Sequence, residues 1–319
     1  PFINDEVKKR VCEVLDSGYL TEGPVTRKFE SLCANFIGCK HALAVSNCTV
    51  GLEMALRACG VGPGDEVIVP DFTYPATAAV VELVGAKIVL VDVERDSMLI
   101  SFDSLERAIT NSTKAIIPVS IFGNPLDYDK LKELKTKHGF YIIEDAACSL
   151  GASFKGQKVG CLADISVFSH HPRKFITTGE GGLITTNNEE FGKWLSSFKH
   201  FGMAETTTRE DTCFAMIGSN HKLSNLQAAV GVVQMEHINE LLDKRKELAN
   251  YYIDILGDVD GVELPTKTPN GEHSWQSFCV FVEHRDEIMK ILRNEGIEVQ
   301  IGTYALHLHP AYQESEYCR

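Results

Sequence analysis

Residues 114–147 read KAIIPVSIFGNPLDYDKLKELKTKHGFYIIEDAA. The apolar run Lys114–Val119 predicts a strand, Tyr128–His138 has the spacing of an amphipathic helix, and Phe140–Glu144 predicts a second strand. A strand, a helix and a strand in succession make the crossover that joins two parallel strands. The alternation extends to both sides. Strands are predicted at His41–Val45, Glu66–Val69, Lys87–Val91, Ile165–Ser169 and Gly182–Thr186, and helices at Val50–Cys59 and Pro75–Val84. Apolar strands separated by helices imply an α/β fold, a mainly parallel seven-stranded sheet covered on both faces. Ligands of such sheets bind outside the carboxyl ends of the strands.

Beyond residue 220 the pattern changes. One long charged helix, Asn225–Leu256, precedes a predicted strand at Trp275–Val282, a helix at His284–Glu295 and a strand at Glu298–Ile301. This predicts a large domain, 1–235, and a smaller C-terminal α+β domain, 236–319, joined by the helix; 319 residues are enough for both. A formal net charge of −13 opposes a general nucleic-acid surface, and no apolar run reaches the length of a membrane span. Neither nucleic acid nor membrane is therefore expected as a partner. Ten cysteines lie without a CxxC pair or metal-ligand spacing, as expected of reduced cytoplasmic thiols, and no metal is expected. No signal or transit segment is expected from the opening residues. The opening Pro1-Phe2-Ile3 and the ending His307–Arg319 read as incomplete termini, and with them the smaller domain.

Four segments carry chemistry. Ser169-His170-His171-Pro172-Arg173-Lys174 leaves a strand and runs into Thr178-Gly179-Glu180-Gly181-Gly182, a turn whose glycines admit close backbone approach to a ligand. Basic neighbours His170, His171 and Arg173 are expected to disfavour the ammonium form of Lys174, leaving an amine that attacks a carbonyl to form a Schiff base. Glu144-Asp145-Ala146-Ala147 ends a strand in two acids, and Asp145, followed by small residues, is the one expected to face the ligand crevice. Ser46-Asn47-Cys48-Thr49 opens a helix, where free amides and a hydroxyl suit a phosphate. Phe72-Thr73-Tyr74-Pro75 places an aromatic ring at the neighbouring junction.

In this order the segments resemble the DegT/DnrJ/StrS family of sugar aminotransferases, within the fold-type I pyridoxal-phosphate (PLP) superfamily. The resemblance also rests on Ser17–Pro24, Gly62–Val67, Phe122-Gly123-Asn124-Pro125, Gly218–Ser224 and Gln227-Ala228-Ala229. It implies PLP as cofactor, with Lys174 as the Schiff-base lysine and proton carrier and Asp145 paired with the pyridine nitrogen. Tyr74 would stack on the ring, and Cys48, Thr49 and Ser169 would hold the cofactor phosphate. Asn220 would reach that phosphate from the neighbouring subunit of a homodimer with shared sites. Thr21, His171, Tyr304 and His307 fall where relatives meet the sugar nucleotide. Two departures stand out: Cys148 occupies a position where relatives often carry Gln, and His170 follows Ser169 where many carry Phe.

The implied reaction is transfer of an amino group from glutamate to a nucleotide-linked 4-keto-6-deoxy sugar. Two alternatives exist. A PLP-dependent sugar-nucleotide 3-dehydratase carries histidine in place of the lysine, which Lys174 opposes, and a non-catalytic relative would bind PLP or a sugar nucleotide as a sensor.

Overall fold

The computed structural model describes residues 1–204 and 210–319. Its central sheet has seven strands, in the order His41–Val45, Gly182–Thr186, Ile165–Ser169, Tyr141–Asp145, Thr113–Ile116, Glu66–Pro70 and Lys87–Val91. The five from Ile165–Ser169 to the Lys87–Val91 edge are parallel. Gly182–Thr186 runs antiparallel to both of its neighbours. The sheet is therefore mainly parallel, as expected, with the Lys174 loop as the hairpin that reverses its direction. Ile68, Ile88, Ile116, Ile143, Val167 and Ile184 are sealed from solvent, as strands covered on both faces require.

The helices begin and end where local chemistry directs. Tyr128–His138 starts at Asp127, whose side chain accepts from the amides of Asp129 and Lys130, and stops at Gly139 in the left-handed region. Cys48–Ala58 starts at Asn47, whose side-chain carbonyl oxygen takes the Val50 amide. Glu22, Glu30 and the Ala44 carbonyl share the ammonium of buried Lys199, tying the start of the chain to the first strand.

Three elements differ from expectation. The long helix is two, Asn225–Glu236 and Ile238–Leu256, broken at His237. Of Trp275–Val282 only Phe281–Val282 is strand, paired with Val262–Glu263. Glu298–Ile301 is not strand at all. The C-terminal part fastens onto the first by short pairings: Gly271–Glu272 on Ser153–Phe154, Tyr304–Ala305 on Phe72–Thr73, and Cys318 beside Ile88.

Candidate active site

Strand direction and pleat sort the two acids at the end of Tyr141–Asp145. Successive side chains point to opposite faces. Glu144 enters the core, where it accepts from Ser120, from Tyr128 at 2.6 Å and from Ser166 at 2.9 Å, and burial raises its pKa. Asp145 points the other way. Its Oδ2 accepts from Thr77 Oγ1 at 2.7 Å and its Oδ1 from the Ala147 amide at 3.1 Å. Burial pushes the Asp145 carboxyl up, while those two donors and the Lys174 charge oppose the shift. Thr77 belongs to the first turn of Ala76–Leu83 and accepts in turn from Thr73 Oγ1 at 2.9 Å, so a chain of hydroxyls fixes the carboxylate plane.

Lys174 comes from the loop after Ile165–Ser169, and its Nζ donates to Cys148 Sγ at 3.0 Å. The loop is held on all sides. The His170 amide donates to the Gly181 carbonyl, the His170 carbonyl accepts from Thr177 Oγ1 and the Thr178 amide, and Gln234 Oε1 accepts from the Thr177 amide. Gln276 brackets the lysine itself: Oε1 takes the Phe175 amide at 2.7 Å and Nε2 donates to the Arg173 carbonyl at 2.8 Å.

The expected effect of basic neighbours on Lys174 is overturned. Desolvation lowers its pKa, while the contact with Cys148 and the charge of Asp145 raise it, and the net shift is upward. The neighbours in sequence are not the neighbours in space. His170 turns into the core, stacked edge-on to Phe29 with ring centres 5.3 Å apart, and burial depresses its pKa to about 4. Arg173 is exposed, and His171 faces Glu180 at 3.9 Å.

The other expected residues arrange themselves around this centre. Cys48 and Thr49 occupy the first turn of their helix, where amides have no acceptor within the helix. Gly182 lies against this turn: a Cβ there would stand 2.6 Å from the Asn47 carbonyl carbon, so only glycine permits the approach. Ser169 ends its strand with Oγ accepting from the His171 amide at 3.3 Å. Tyr74 is 65% exposed, its ring 6.4 Å from that of Tyr304. His307 is locked to Asp71, Nδ1 on one carboxylate oxygen and its amide on the other. Asn220 and Thr21 are exposed, the first accepting from Lys222 Nζ at 2.7 Å. Thr77, Asp71, Gln276 and the Lys174–Cys148 contact escaped the sequence reading; among these, only the departure at Cys148 left a signal.

This set fits PLP. A buried, oriented carboxylate suits a ring nitrogen, a lysine amine stands within its electrostatic reach, and a helix start pressed against a glycine offers amides to a phosphate.

Comparison with known proteins agrees. A family model for the DegT/DnrJ/EryC1/StrS aminotransferase family matches residues 1–319. The spore coat polysaccharide biosynthesis protein SpsC of Bacillus subtilis is 32% identical, over 98% of this chain and 84% of SpsC. Spr1654 of Streptococcus pneumoniae, in its PMP form, superposes with a TM-score of 0.93 at 30% identity, over 98% of this chain and 87% of that one. The same protein is also similar in its PLP form. DesV of S. venezuelae, solved in complex with a ketimine intermediate, superposes with a TM-score of 0.90 at 34% identity, over 97% of this chain and 83% of that one.

Proposed function

The chain belongs to the DegT/DnrJ/EryC1/StrS aminotransferase family and is PLP-dependent, and on that footing we propose that it carries the amino group of glutamate to a nucleotide-linked 4-keto-6-deoxy sugar. The observation that carries this reading is the lysine amine of Lys174 set near the buried carboxylate of Asp145, at the carboxyl ends of neighbouring strands. When bound, PLP supplies a carbonyl that exchanges its oxygen for an amino group and a ring that draws electrons from the reacting carbon. Asp145 holds the proton on the ring nitrogen, its plane fixed by Thr77 and the Ala147 amide. Lys174 would hold the cofactor through Nζ and, when that amine is free, would move protons at that atom. The amides of Cys48 and Thr49, with Ser169 Oγ, take the phosphate. Tyr74 covers the ring face, and Thr21, His171, Tyr304 and His307 meet the sugar nucleotide.

We extend the proposal to a homodimer in which Asn220 completes the partner's site, to division of the chain at 235/236, and to a cytoplasmic setting that keeps its cysteines reduced. Amino-sugar synthesis for a polysaccharide or glycan is the process this serves, in keeping with the likeness to SpsC. The absorbance spectrum of the purified protein with PLP, before and after excess glutamate and beside Lys174→Ala, tests the reading. Loss of a visible band in the parent alone is expected, followed by amination of 4-ketosugar nucleotides. A band that glutamate leaves untouched would overturn glutamate-dependent transfer and favour the sensor.

A further inference from the structure

Lys174 Nζ and Cys148 Sγ stand 3.0 Å apart. Cys48 and Asp145 lie within electrostatic reach of the same amine. Both partners are partly exposed, so a small solute reaches them. From this contact we infer that Lys174 and Cys148 form a modification site, at which a peroxide joins them through a covalent sulfur–nitrogen bond whenever the lysine is not holding the cofactor.

The chemistry follows from the pairing. Peroxide oxidises a cysteine as its thiolate, and the Lys174 amine stands in contact with the sulfur that becomes oxidised. The thiolate of Cys148 attacks hydrogen peroxide, the O–O bond breaks, and a sulfenic acid and hydroxide result. The hydroxide takes one proton from the Lys174 ammonium and becomes water. The freed amine lone pair attacks sulfur, the S–O bond breaks, and the departing hydroxyl leaves as water with a second proton from nitrogen. Sulfur has lost two electrons, the peroxide has been reduced to two waters, and Cys148 Sγ is bonded to Lys174 Nζ. An external thiol attacking that sulfur releases the amine and restores the site. Two nearby thiols compete poorly: burial pushes Cys48 well up and Cys279 up to about 12, holding both in the thiol form. The bond removes the lysine that the cofactor needs, and a cofactor already on Nζ removes the nucleophile. Oxidation therefore selects the cofactor-free chain and the interval of turnover in which Lys174 is released.

Mass spectrometry tests the bond without recourse to activity. The cofactor-free protein is treated with hydrogen peroxide, quenched with catalase, and measured intact and after proteolysis. A chain lighter by about 2 Da is expected, with one linked peptide joining Cys148 to Lys174, reversed by dithiothreitol. Cys148→Ser and Lys174→Arg should each abolish that peptide, while Cys48→Ala and Cys279→Ala keep it. A linked peptide joining two cysteines, oxygen additions alone, or no change at all would each overturn the proposal, and the parent chain distinguishes these outcomes even if a variant misfolds. Protein loaded with PLP should link at least ~10-fold more slowly, because its nucleophile is occupied. Equal rates with and without PLP would contradict a free amine as the partner in the bond, and would return the cofactor role of Lys174 to question separately through its own spectrum.

Discussion

A carboxylate that must stay charged inside a protein depends on the donors around it. Asp145 has two, Thr77 Oγ1 and the Ala147 amide, against a desolvation that raises its pKa. Thr77→Val keeps the shape and removes one donor, so the Asp145 pKa should rise further and the ring nitrogen lose part of its counter-charge. A roughly tenfold slower glutamate half-reaction is expected for a loss of about 1.4 kcal/mol, read by stopped-flow absorbance. An unchanged rate would reduce Thr77 to packing. The lysine and this aspartate were legible in sequence because each sits in a local pattern, a strand end or a glycine-rich turn. Their partners were not, since Thr77 meets Asp145 across 68 residues and Cys148 meets Lys174 across 26. His170 shows the same limit from the other side: read as a basic neighbour, it is a core ring whose Nδ1 faces the Ile176 carbonyl and whose Nε2 is buried without a hydrogen-bond partner among the described residues. Its pKa, near 6.5 in an unfolded chain, is held at about 4 by burial. The stability that comes from burying the neutral ring is complete above about pH 6.5 and is lost as the pH falls through the folded value near 4. His170→Phe removes that dependence. Urea unfolding should show the variant gaining on the parent by up to ~3 kcal/mol over this interval. A gap that stays constant with pH would mean that His170 titrates as an exposed ring.

Elements were legible where one helix face or both sheet faces meet a core, as with Tyr128–His138 and the strands of the sheet. They were illegible where burial is thin. Reading Asn225–Leu256 as one charged helix passes over a change of surroundings, for its charges begin only at Glu236: Asn225–Glu236 is buried on most sides against the first two helices, whereas Ile238–Leu256 buries only Ile238 and Ala249. Glu298–Ile301 alternates like a strand but has no partner strand among the described residues, and alternation without pairing leaves backbone to water. In Trp275–Val282 the chain turns at Trp275, φ 54°, with its ring stacked 4.0 Å from that of His273. That turn delivers Gln276 to the Lys174 loop, while Arg245 of the long helix donates to the carbonyls of Trp275 and Gln276. The irregular segment is thus the brace of the site. Gln276→Leu should leave the fold in place at a cost of about 1–3 kcal/mol, while lowering kcat by roughly 10- to 100-fold through a misplaced Nζ. Gln276→Asn, with an amide one carbon short, should stay low. Steady-state kinetics beside thermal melts separate the two effects, and a kcat that follows stability alone would deny the brace.

At the scale of the molecule, the sheet and the site's acid and lysine lie within the first 235 residues, yet that part does not close over its own surface. Leu306 of the C-terminal part is sealed in the cluster formed by Leu52, Val69 and Ala78, and Thr268 bonds to Asn124 and Pro125. Those contacts cover one side of the first part. Around Asn220 the surface is apolar and open: Phe201 is 49% exposed, Phe214 61% and Ile217 96%. Apolar side chains this exposed are the kind that another protein covers, and the proposed homodimer would supply that cover. In a symmetric dimer each such side chain is buried twice, and one isoleucine contributes about 1.5–3 kcal/mol per copy. Ile217→Asp should therefore weaken dimerisation by roughly 10²-fold or more, since it also buries two like charges. Sedimentation velocity across a dilution series reads that shift. If Asn220 serves the neighbouring subunit, the same dilution should release PLP from the variant, and the visible band should fade in step with the dimer. A monomeric variant that keeps its band and its turnover would separate the two claims, leaving the site complete within a single chain and the apolar surface to some other partner.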